Sequence, residues 1–165
     1  MEACPRGRRR APARRPRRDD RHVAVNAPTP AAQASAARGL LDTNVVIGLG
    51  RLDPSVLPDE PVISAVTLAE LSAGPLVADD DDVRAARQAH LQLAESSFEP
   101  LAVDADVARA FGRVAADLRG AGRTRMARAF DALIAATAIA HDIPLYTANE
   151  ADFRGIRGLD VRPVA

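Results

Sequence analysis

Residues 40–47 constrain the fold of this chain more than any other segment. Two leucines lead into Asp42, a Thr-Asn pair follows, and a second apolar run of two valines and an isoleucine comes next. This pattern predicts a short buried strand that ends at Asp42 and is followed directly by a helix. In open α/β sheets, ligands bind at the edge where the strands have their carboxyl ends, so Asp42 is a candidate site residue. Asp is also a common helix N-cap, and this segment alone leaves both interpretations open.

From residue 39 onward, strand-like and helix-like segments alternate. The predicted strands are 39–42, 62–64, 98–103, 143–146 and 159–164. The predicted helices are 44–52, 65–73, 83–96, 106–119 and 130–140. This alternation predicts an α/β fold with a parallel sheet and right-handed crossovers.

Residues 1–38 differ from the rest of the chain. They contain ten arginines, a Pro/Ala-rich stretch and no apolar periodicity. Such a segment cannot bury enough surface to offset its ordering entropy, so we predict a disordered extension at 1–38 and a folded domain at 39–165. The extension could be a basic arm that contacts nucleic acid, a targeting peptide, or a segment outside the functional protein. The clean start of the fold at residue 39 favours the last interpretation.

The folded part is acidic, although the whole chain has no net charge. Ten of the 22 basic residues and three of the 22 acids lie in residues 1–38, which leaves 12 arginines against 19 acids in residues 39–165. An acidic protein that acts on a phosphate polymer needs another source of positive charge, and a divalent cation can provide it. The single cysteine and the 47% hydrophobic content are typical of a cytoplasmic globular protein with no membrane partner.

Further polar residues are predicted to lie near Asp42. Glu70 is on the helix after the second strand, and Asn149 with Asp152 follows the fourth. Asp131 begins the most apolar helix of the chain, where it either complements the helix dipole or requires a cation or hydrogen-bond donors. With right-handed crossovers, these positions lie at one edge of a parallel sheet.

Carboxylates at one edge of a sheet repel each other, and raised pKa values or a hard divalent cation relieve the repulsion. Ligation by oxygen alone favours Mg²⁺ or Mn²⁺. Such an ion can make a bound water more acidic, orient it for attack and neutralise charge on a phosphate. The acidic residues therefore suggest phosphodiester hydrolysis.

Four segments, in order, resemble the successive motifs of PIN-domain proteins. They are Leu-Leu-Asp-Thr-Asn-Val-Val at 40–46, Ser-Ala-Val-Thr-Leu-Ala-Glu-Leu at 64–71, Phe-Asp-Ala-Leu-Ile-Ala-Ala-Thr-Ala at 130–138, and Thr-Ala-Asn-Glu-Ala-Asp-Phe at 147–153. More narrowly, they are similar to the ribonuclease toxins of VapBC-type toxin–antitoxin operons. The resemblance spans residue 39 to about residue 165.

The resemblance implies a three-layer α/β/α sandwich with a short parallel sheet of about five strands. It also implies an endoribonuclease that depends on Mg²⁺ or Mn²⁺ and forms a homodimer. An antitoxin protein would inhibit it by placing a C-terminal segment in the active-site groove.

By position, the resemblance implies that Asp42, Glu70 and Asp131 form the acidic, metal-binding site. The last acid of the family pattern corresponds either to Asn149 or to Asp152, and both remain open. Asn149 is an uncharged amide and would contribute no negative charge to a second cation site.

The resemblance gives supporting roles to three more polar residues. Thr43 and Thr147 would be the hydroxyl residues that hold the site together, and Asn44 would support the first loop.

Three arginines follow the glycines at 120 and 122: Arg123, Arg125 and Arg128. They fit an exposed loop of mixed charge and, equally, a rim that contacts RNA phosphates, since Arg can bind phosphate through two hydrogen bonds.

Two other functions remain possible. The same fold could bind RNA or protein without catalysis, and Asn149 favours that reading. A phosphatase that forms an aspartyl-phosphate on Asp42 is less favoured, because the second Asp expected two residues later is Asn44.

Overall fold

The structure, a computed structural model, describes Met1, residues 37–120 and residues 129–164. The strands are β1 (Arg38–Leu41), β2 (Glu60–Val62), β3 (Leu145–Thr147) and β4 (Val161–Pro163). The α-helices are α1 (Thr43–Gly48), α2 (Ala65–Leu76), α3 (Asp81–Ser97), α4 (Ala105–Gly120), α5 (Ala129–Ala140) and α6 (Glu150–Phe153). Two short 3₁₀ helices, Leu49–Arg51 and Pro54–Val56, lie between α1 and β2.

The four strands form one parallel sheet in the order β2-β1-β3-β4. Leu40 in β1 stands opposite Val62 in β2 and Leu145 in β3. Each connection from one strand to a parallel neighbour contains helices, as parallel pairing requires. The prediction of a parallel α/β sheet is confirmed.

Two apolar clusters pack on the two faces of this sheet. Successive residues of a strand point to opposite faces, so Leu40 lies in one cluster and Leu41 in the other. The cluster around Leu40 includes residues of α4 and α5, and the cluster around Leu41 includes residues of α1, α2 and α3. Helices therefore cover both faces, which confirms the predicted three-layer sandwich.

The predicted strand at 98–103 is reduced to a single bridge between Leu101 and Ser64. The Leu101 N–H donates to the carbonyl of Ile63 at 2.9 Å, and the Ala65 N–H donates to the carbonyl of Leu101 at 2.8 Å. Pro100 has no N–H to extend this pairing. Within the described residues the sheet therefore has four strands instead of about five.

Helix α2 continues past its predicted end at residue 73 and includes Gly74 and Pro75. Pro75 lies in the last turn, where its missing N–H removes one hydrogen bond without interrupting a longer helix. Arg87 of α3 donates to the Gly74 carbonyl at 2.9 Å and satisfies an acceptor at this helix end.

Helices α3 and α4 begin at acidic caps, within two residues of their predicted starts at 83 and 106. Asp104 accepts hydrogen bonds from the N–H groups of Asp106 and Val107 at 2.9 Å and begins α4. Asp80, in the run of four aspartates at 79–82, accepts from the N–H groups of Asp82 and Val83 and begins α3.

The predicted disordered extension lies outside the described residues except for Met1 and residues 37–38, so the boundary at residue 39 stays a prediction. No helix within 37–120 or 129–164 is long and apolar enough to cross a membrane.

Gly39 of β1 is expected to tolerate no side chain. A Cβ atom there would lie 2.8 Å from Cδ2 of Tyr146 and 2.9 Å from Cβ of Pro58. We therefore expect Gly39→Ala to lower the free energy of unfolding by about 1–3 kcal/mol, the usual cost of overpacking a core. Urea denaturation measures this change.

Gly112→Ala is the matched control, because a Cβ at Gly112, inside helix α4, meets nothing within 4 Å. The same added methyl group should stabilise the protein there by up to about 1 kcal/mol, since Ala favours helix. Equal effects of the two substitutions would contradict the role given to Gly39.

Candidate active site

Asp42 joins strand β1 to helix α1. Its backbone is extended, with φ −67° and ψ 154°, and its Oδ1 accepts a hydrogen bond from the N–H of Thr43 at 2.8 Å. Asp42 is therefore the N-cap of α1, which confirms one of the two interpretations of the sequence. Asp42 is also only 5% exposed. Capping a helix does not require burial, so the interpretation of Asp42 as a site residue also remains open.

The second carboxylate oxygen of Asp42 accepts hydrogen bonds from two side chains, one in helix α1 and one at the end of strand β3. Its Oδ2 accepts from Nδ2 of Asn44 at 2.8 Å and from Oγ1 of Thr147 at 2.7 Å. Thr147 ends β3, the strand beside β1. The two adjacent strand ends are thus joined through this carboxylate.

Asn44 and Thr147 hold the loop after β3 against the start of α1. Asn44 Nδ2 also contacts Oγ1 of Thr147 at 3.3 Å, and its Oδ1 accepts from the N–H of Ala148 at 3.1 Å. Thr147 Oγ1 accepts from the N–H of Asn149 at 3.0 Å. The Thr147 hydroxyl thereby uses its one donor and both acceptor positions. The contact to the Ala148 backbone was not predicted, because a backbone donor leaves no signal in residue type.

Glu70 reaches the site through Thr43. It lies on α2, is half-buried, and its Oε2 accepts from Oγ1 of Thr43 at 2.5 Å. Thr43 therefore bonds to both acids, to Asp42 with its backbone and to Glu70 with its hydroxyl. Ser64 caps α2 by accepting from the Thr67 N–H at 3.0 Å, which fixes the start of the helix that carries Glu70.

Burial raises the pKa of both carboxyls above their ordinary values. For Asp42 its three hydrogen-bond donors oppose this rise, and the negative charge of Asp152 adds to it. For Glu70 the hydrogen bond from Thr43 opposes the rise in pKa, and the charge of Asp42 adds to it. A proton or a cation would relieve both the cost of burying these carboxylates and the repulsion of Glu70 by Asp42.

Asp131 lies in the first turn of α5 and is half-buried. Helix α5 packs against α2, the helix that carries Glu70. Within residues 37–120 and 129–164, no group of three or more Asp, Glu, His or Cys side chains is close enough together to hold a metal ion. The joint site of Asp42, Glu70 and Asp131 therefore stays a prediction, and the pair that the structure brings together is Asp42 with Glu70.

This pair has the chemistry that Mg²⁺ requires. Mg²⁺ takes oxygen ligands, keeps several waters and usually binds proteins through only one or two carboxylates. Asp42 and Glu70 provide two carboxylates of raised pKa at one edge of the sheet.

Asn149 and Asp152 stand together in the loop and short helix after β3. Asn149 Nδ2 donates to Oδ2 of Asp152 at 2.5 Å. This bond was not predicted, although a spacing of three residues at a helix start is a signal for such contacts. The three arginines predicted to contact RNA, Arg123, Arg125 and Arg128, lie outside the described residues.

The family model of the PIN domain matches residues 39–159. The chain belongs to the PIN-domain family. Its curated relatives include two proteins of Mycobacterium tuberculosis (strain ATCC 25618 / H37Rv). Ribonuclease VapC5 is 40% identical over 125 residues, which cover 74% of this chain and 90% of that protein. Ribonuclease VapC4 is 38% identical over 127 residues, which cover 75% of this chain and 95% of that protein.

Solved structures agree with this assignment. A chain in the crystal structure of VapBC-5, a toxin–antitoxin system of Mycobacterium tuberculosis, is 38% identical, with a TM-score of 0.67 over 78% of this PIN-domain chain and 99% of that chain. A chain of VapBC2 from Rickettsia felis, 23% identical, has a TM-score of 0.61 over 78% of this chain and 99% of that chain, which supports the fold. The predicted resemblance to VapC-type PIN domains is confirmed.

The raised pKa of Glu70 predicts a pH-dependent stability. Between its pKa in the unfolded chain and its higher pKa in the folded protein, the folded state binds more protons, so the free energy of unfolding falls as the pH rises. The Glu70→Gln substitution removes this pH-dependent loss of stability, and the Gln side-chain oxygen can still accept the hydrogen bond from Thr43. In EDTA we expect this variant to be more stable than the wild type at neutral pH, by less than about 1 kcal/mol because Glu70 is partly solvent-screened. Urea denaturation from pH 3 to pH 7 should show the difference vanish at the acid end.

Glu95→Gln on α3 is the control, since Glu95 is exposed and has the same side chain. Its effect on stability should be small throughout this pH range. A Glu70→Gln protein that is less stable than the wild type at neutral pH would show that burial and the charge of Asp42 do not destabilise the Glu70 carboxylate.

Proposed function

We propose that this chain is a Mg²⁺- or Mn²⁺-dependent endoribonuclease and the toxin of a type II toxin–antitoxin pair. The observation that carries the proposal is the buried Asp42 carboxylate, linked to Glu70 through Thr43, in a PIN domain 40% identical to Ribonuclease VapC5. In the hydrolysis of RNA phosphodiester bonds, these two acids would help to hold the cation.

Asp42, Glu70 and Asp131 are the residues that would hold the cation. When bound, a divalent ion would neutralise charge on the scissile phosphate and lower the pKa of water, so that hydroxide is available to attack. Asp42 serves this role with both oxygens fixed by donors, so its carboxylate needs little reorganisation on binding. Thr43 fixes Glu70 in the same way.

The remaining polar residues support this site. Thr147 and Asn44 orient Asp42, and Asp152 adds negative charge near it. Arg123, Arg125 and Arg128 are proposed to bind the RNA backbone, because the acidic domain needs local positive charge to hold a polyanion.

An antitoxin protein is the proposed partner, and a homodimer is the proposed form of the free toxin. The similarity to a chain of the VapBC-5 toxin–antitoxin system supports the partner. A toxin that degrades cellular RNA acts in the cytoplasm, which is the proposed location.

A PIN fold that binds RNA without cleaving it is the second candidate. Asn149 favours it, because an amide stands at one of the two candidate positions for the last acid of the family pattern. The two functions differ in their dependence on the cation: a binding module holds RNA equally well with Mg²⁺ or with EDTA.

Asp42→Asn is expected to abolish RNA cleavage. Asn retains the ability to cap α1 but loses the negative charge that binds the cation. The assay follows total cellular RNA incubated with the purified full chain and Mg²⁺ or Mn²⁺. The wild type should give discrete fragments that disappear with EDTA.

Asp53→Asn is the matched control. Asp53 is also an N-cap, of the 3₁₀ helix Pro54–Val56, and it is exposed. This variant should cleave RNA as the wild type does. Metal-independent fragments, or a folded Asp42→Asn protein as active as the wild type, would contradict the proposed mechanism.

The proposed homodimer predicts a particle mass. Light scattering on the purified chain should give twice the 17.4 kDa of one chain, and this mass should not change in the Asp42→Asn variant. A mass of one chain across micromolar concentrations would refute the dimer.

A further inference from the structure

Phe130 is the only exposed aromatic side chain of this protein. The four Phe and one Tyr of the chain all lie within residues 37–120 and 129–164. Phe153 is buried, and three others are half-buried and pack against the apolar clusters: Phe98, Phe111 and Tyr146. Phe130 is 52% exposed and belongs to neither cluster. Its ring is therefore available to another molecule.

Phe130 lies at the edge of the sheet that carries Asp42. Helix α5 packs on one face of the sheet, and residues 141–144 connect its end to the start of β3. The end of α5 is therefore at the amino edge of the sheet. Its 12 residues span about 18 Å, so its first turn, with Phe130, reaches the opposite, carboxyl edge. Asp42 lies at that same edge, where its N–H donates to the carbonyl of Tyr146 at 2.9 Å.

Two acids of the proposed nuclease site lie near the start of α5. Asp131, the residue after Phe130, is one of the acids proposed to hold the cation. Helix α5 also packs against α2, the helix that carries Glu70. An RNA phosphate held by a cation at these acids would bring the neighbouring bases close to the Phe130 ring. An unpaired base has two flat faces, and aromatic side chains bind such faces by stacking.

We propose that Phe130 binds the RNA substrate by stacking on an unpaired base next to the scissile phosphate. The inference rests on the proposed nuclease function, and it assigns single-stranded RNA as the form of the substrate. In an RNA duplex the faces of each base are covered by the adjacent bases, so the ring has no face to contact.

An uncharged contact is suited to an acidic domain. The folded domain has more acids than arginines, so it repels the phosphates of RNA. Salt screens the contacts between Arg and phosphate, whereas stacking involves no net charge. The Phe130 ring thus provides affinity for RNA that the charge of the domain does not oppose.

The test places a fluorescent ring at residue 130. Because the chain contains no tryptophan, Phe130→Trp introduces a single indole at the proposed contact. The full-length variant is titrated in EDTA, which prevents metal-dependent cleavage, with three oligonucleotides: a single-stranded RNA, the same strand annealed to its complement, and an abasic strand of equal length. Polarisation of a dye on each oligonucleotide measures binding independently. Stacking predicts that only the single strand with bases quenches the indole fluorescence.

Substitutions at Phe130 separate stacking from a general apolar contact. Phe130→Ala should raise the RNA dissociation constant and KM about fivefold or more, with kcat nearly unchanged, because stacking on the bound strand persists in the transition state. Phe130→Leu, which is apolar but has no aromatic face, should do the same, and Phe130→Tyr should behave as the wild type does. Leu76→Ala is the control, since Leu76 is 85% exposed at the far end of α2 and should leave both constants unchanged. Thermal melts establish that each variant folds.

Four results would overturn the inference. They are failure of the single strand to bind, binding of the single strand without quenching, equal quenching by the duplex, and a Phe130→Leu protein with the KM of the wild type. If Phe130→Ala instead halves the particle mass in light scattering and leaves RNA affinity unchanged, the ring belongs to a protein interface.

The two readouts separate this inference from the proposed function. Quenching by a single strand that the wild type does not cleave refutes the nuclease and retains the stacking contact. Cleavage with an unchanged KM in Phe130→Ala retains the nuclease and refutes the contact.

Discussion

The burial of one carboxylate organises this site. A buried anion without donors would be costly, and Asp42 is 5% exposed. The local structure therefore supplies three donors: the backbone N–H of Thr43, the side-chain amide of Asn44 and the hydroxyl of Thr147. Because these donors come from two segments of the chain, satisfying Asp42 also fixes the end of β3 against the start of α1. The same bonds that make burial tolerable make the site rigid.

The strand order explains why the other acids lie near this carboxylate. Strand β1 lies between β2 and β3, so the loops after all three strands meet at one edge. Helix α2 starts after β2 and carries Glu70, and the loop after β3 carries Asn149 and Asp152. Sheet topology thus brings together residues that are far apart in sequence, and Thr43 joins the first two acids directly.

The sequence predicted those features that depend on local chemistry. The end of β1 next to an acid and the apolar helix 130–140 follow from periodicity and capping, and both are found. Features that depend on tertiary context were missed. The strand expected at 98–103 is a single bridge beside Pro100. Helix α2 continues through Pro75, whose missing N–H removes one hydrogen bond from the last turn.

The sequence predicted which residues form the candidate site, but it did not predict most of the hydrogen bonds between them. Residue spacing placed Asp42, Glu70 and the 149–152 loop at one edge of the sheet, as found. Individual hydrogen bonds, such as Thr43 to Glu70, depend on side-chain rotamers that no sequence pattern specifies. The position of Asp131 relative to the other acids also depends on tertiary packing, which residue types do not specify. Asp131 lies on α5, a helix that packs against α2.

Electrostatic repulsion couples the binding of the two charged partners of the proposed function, the divalent cation and RNA. The acidic domain repels a polyanion, and at the site the charge of Asp42 adds to the burial that raises the pKa of Glu70. A divalent cation at this edge reduces both repulsions, so its binding and the binding of RNA must favour each other. By linkage the effect is reciprocal: the cation strengthens RNA binding by the factor by which RNA strengthens cation binding. A domain with net negative charge can thereby act on RNA while holding it weakly when the cation is absent.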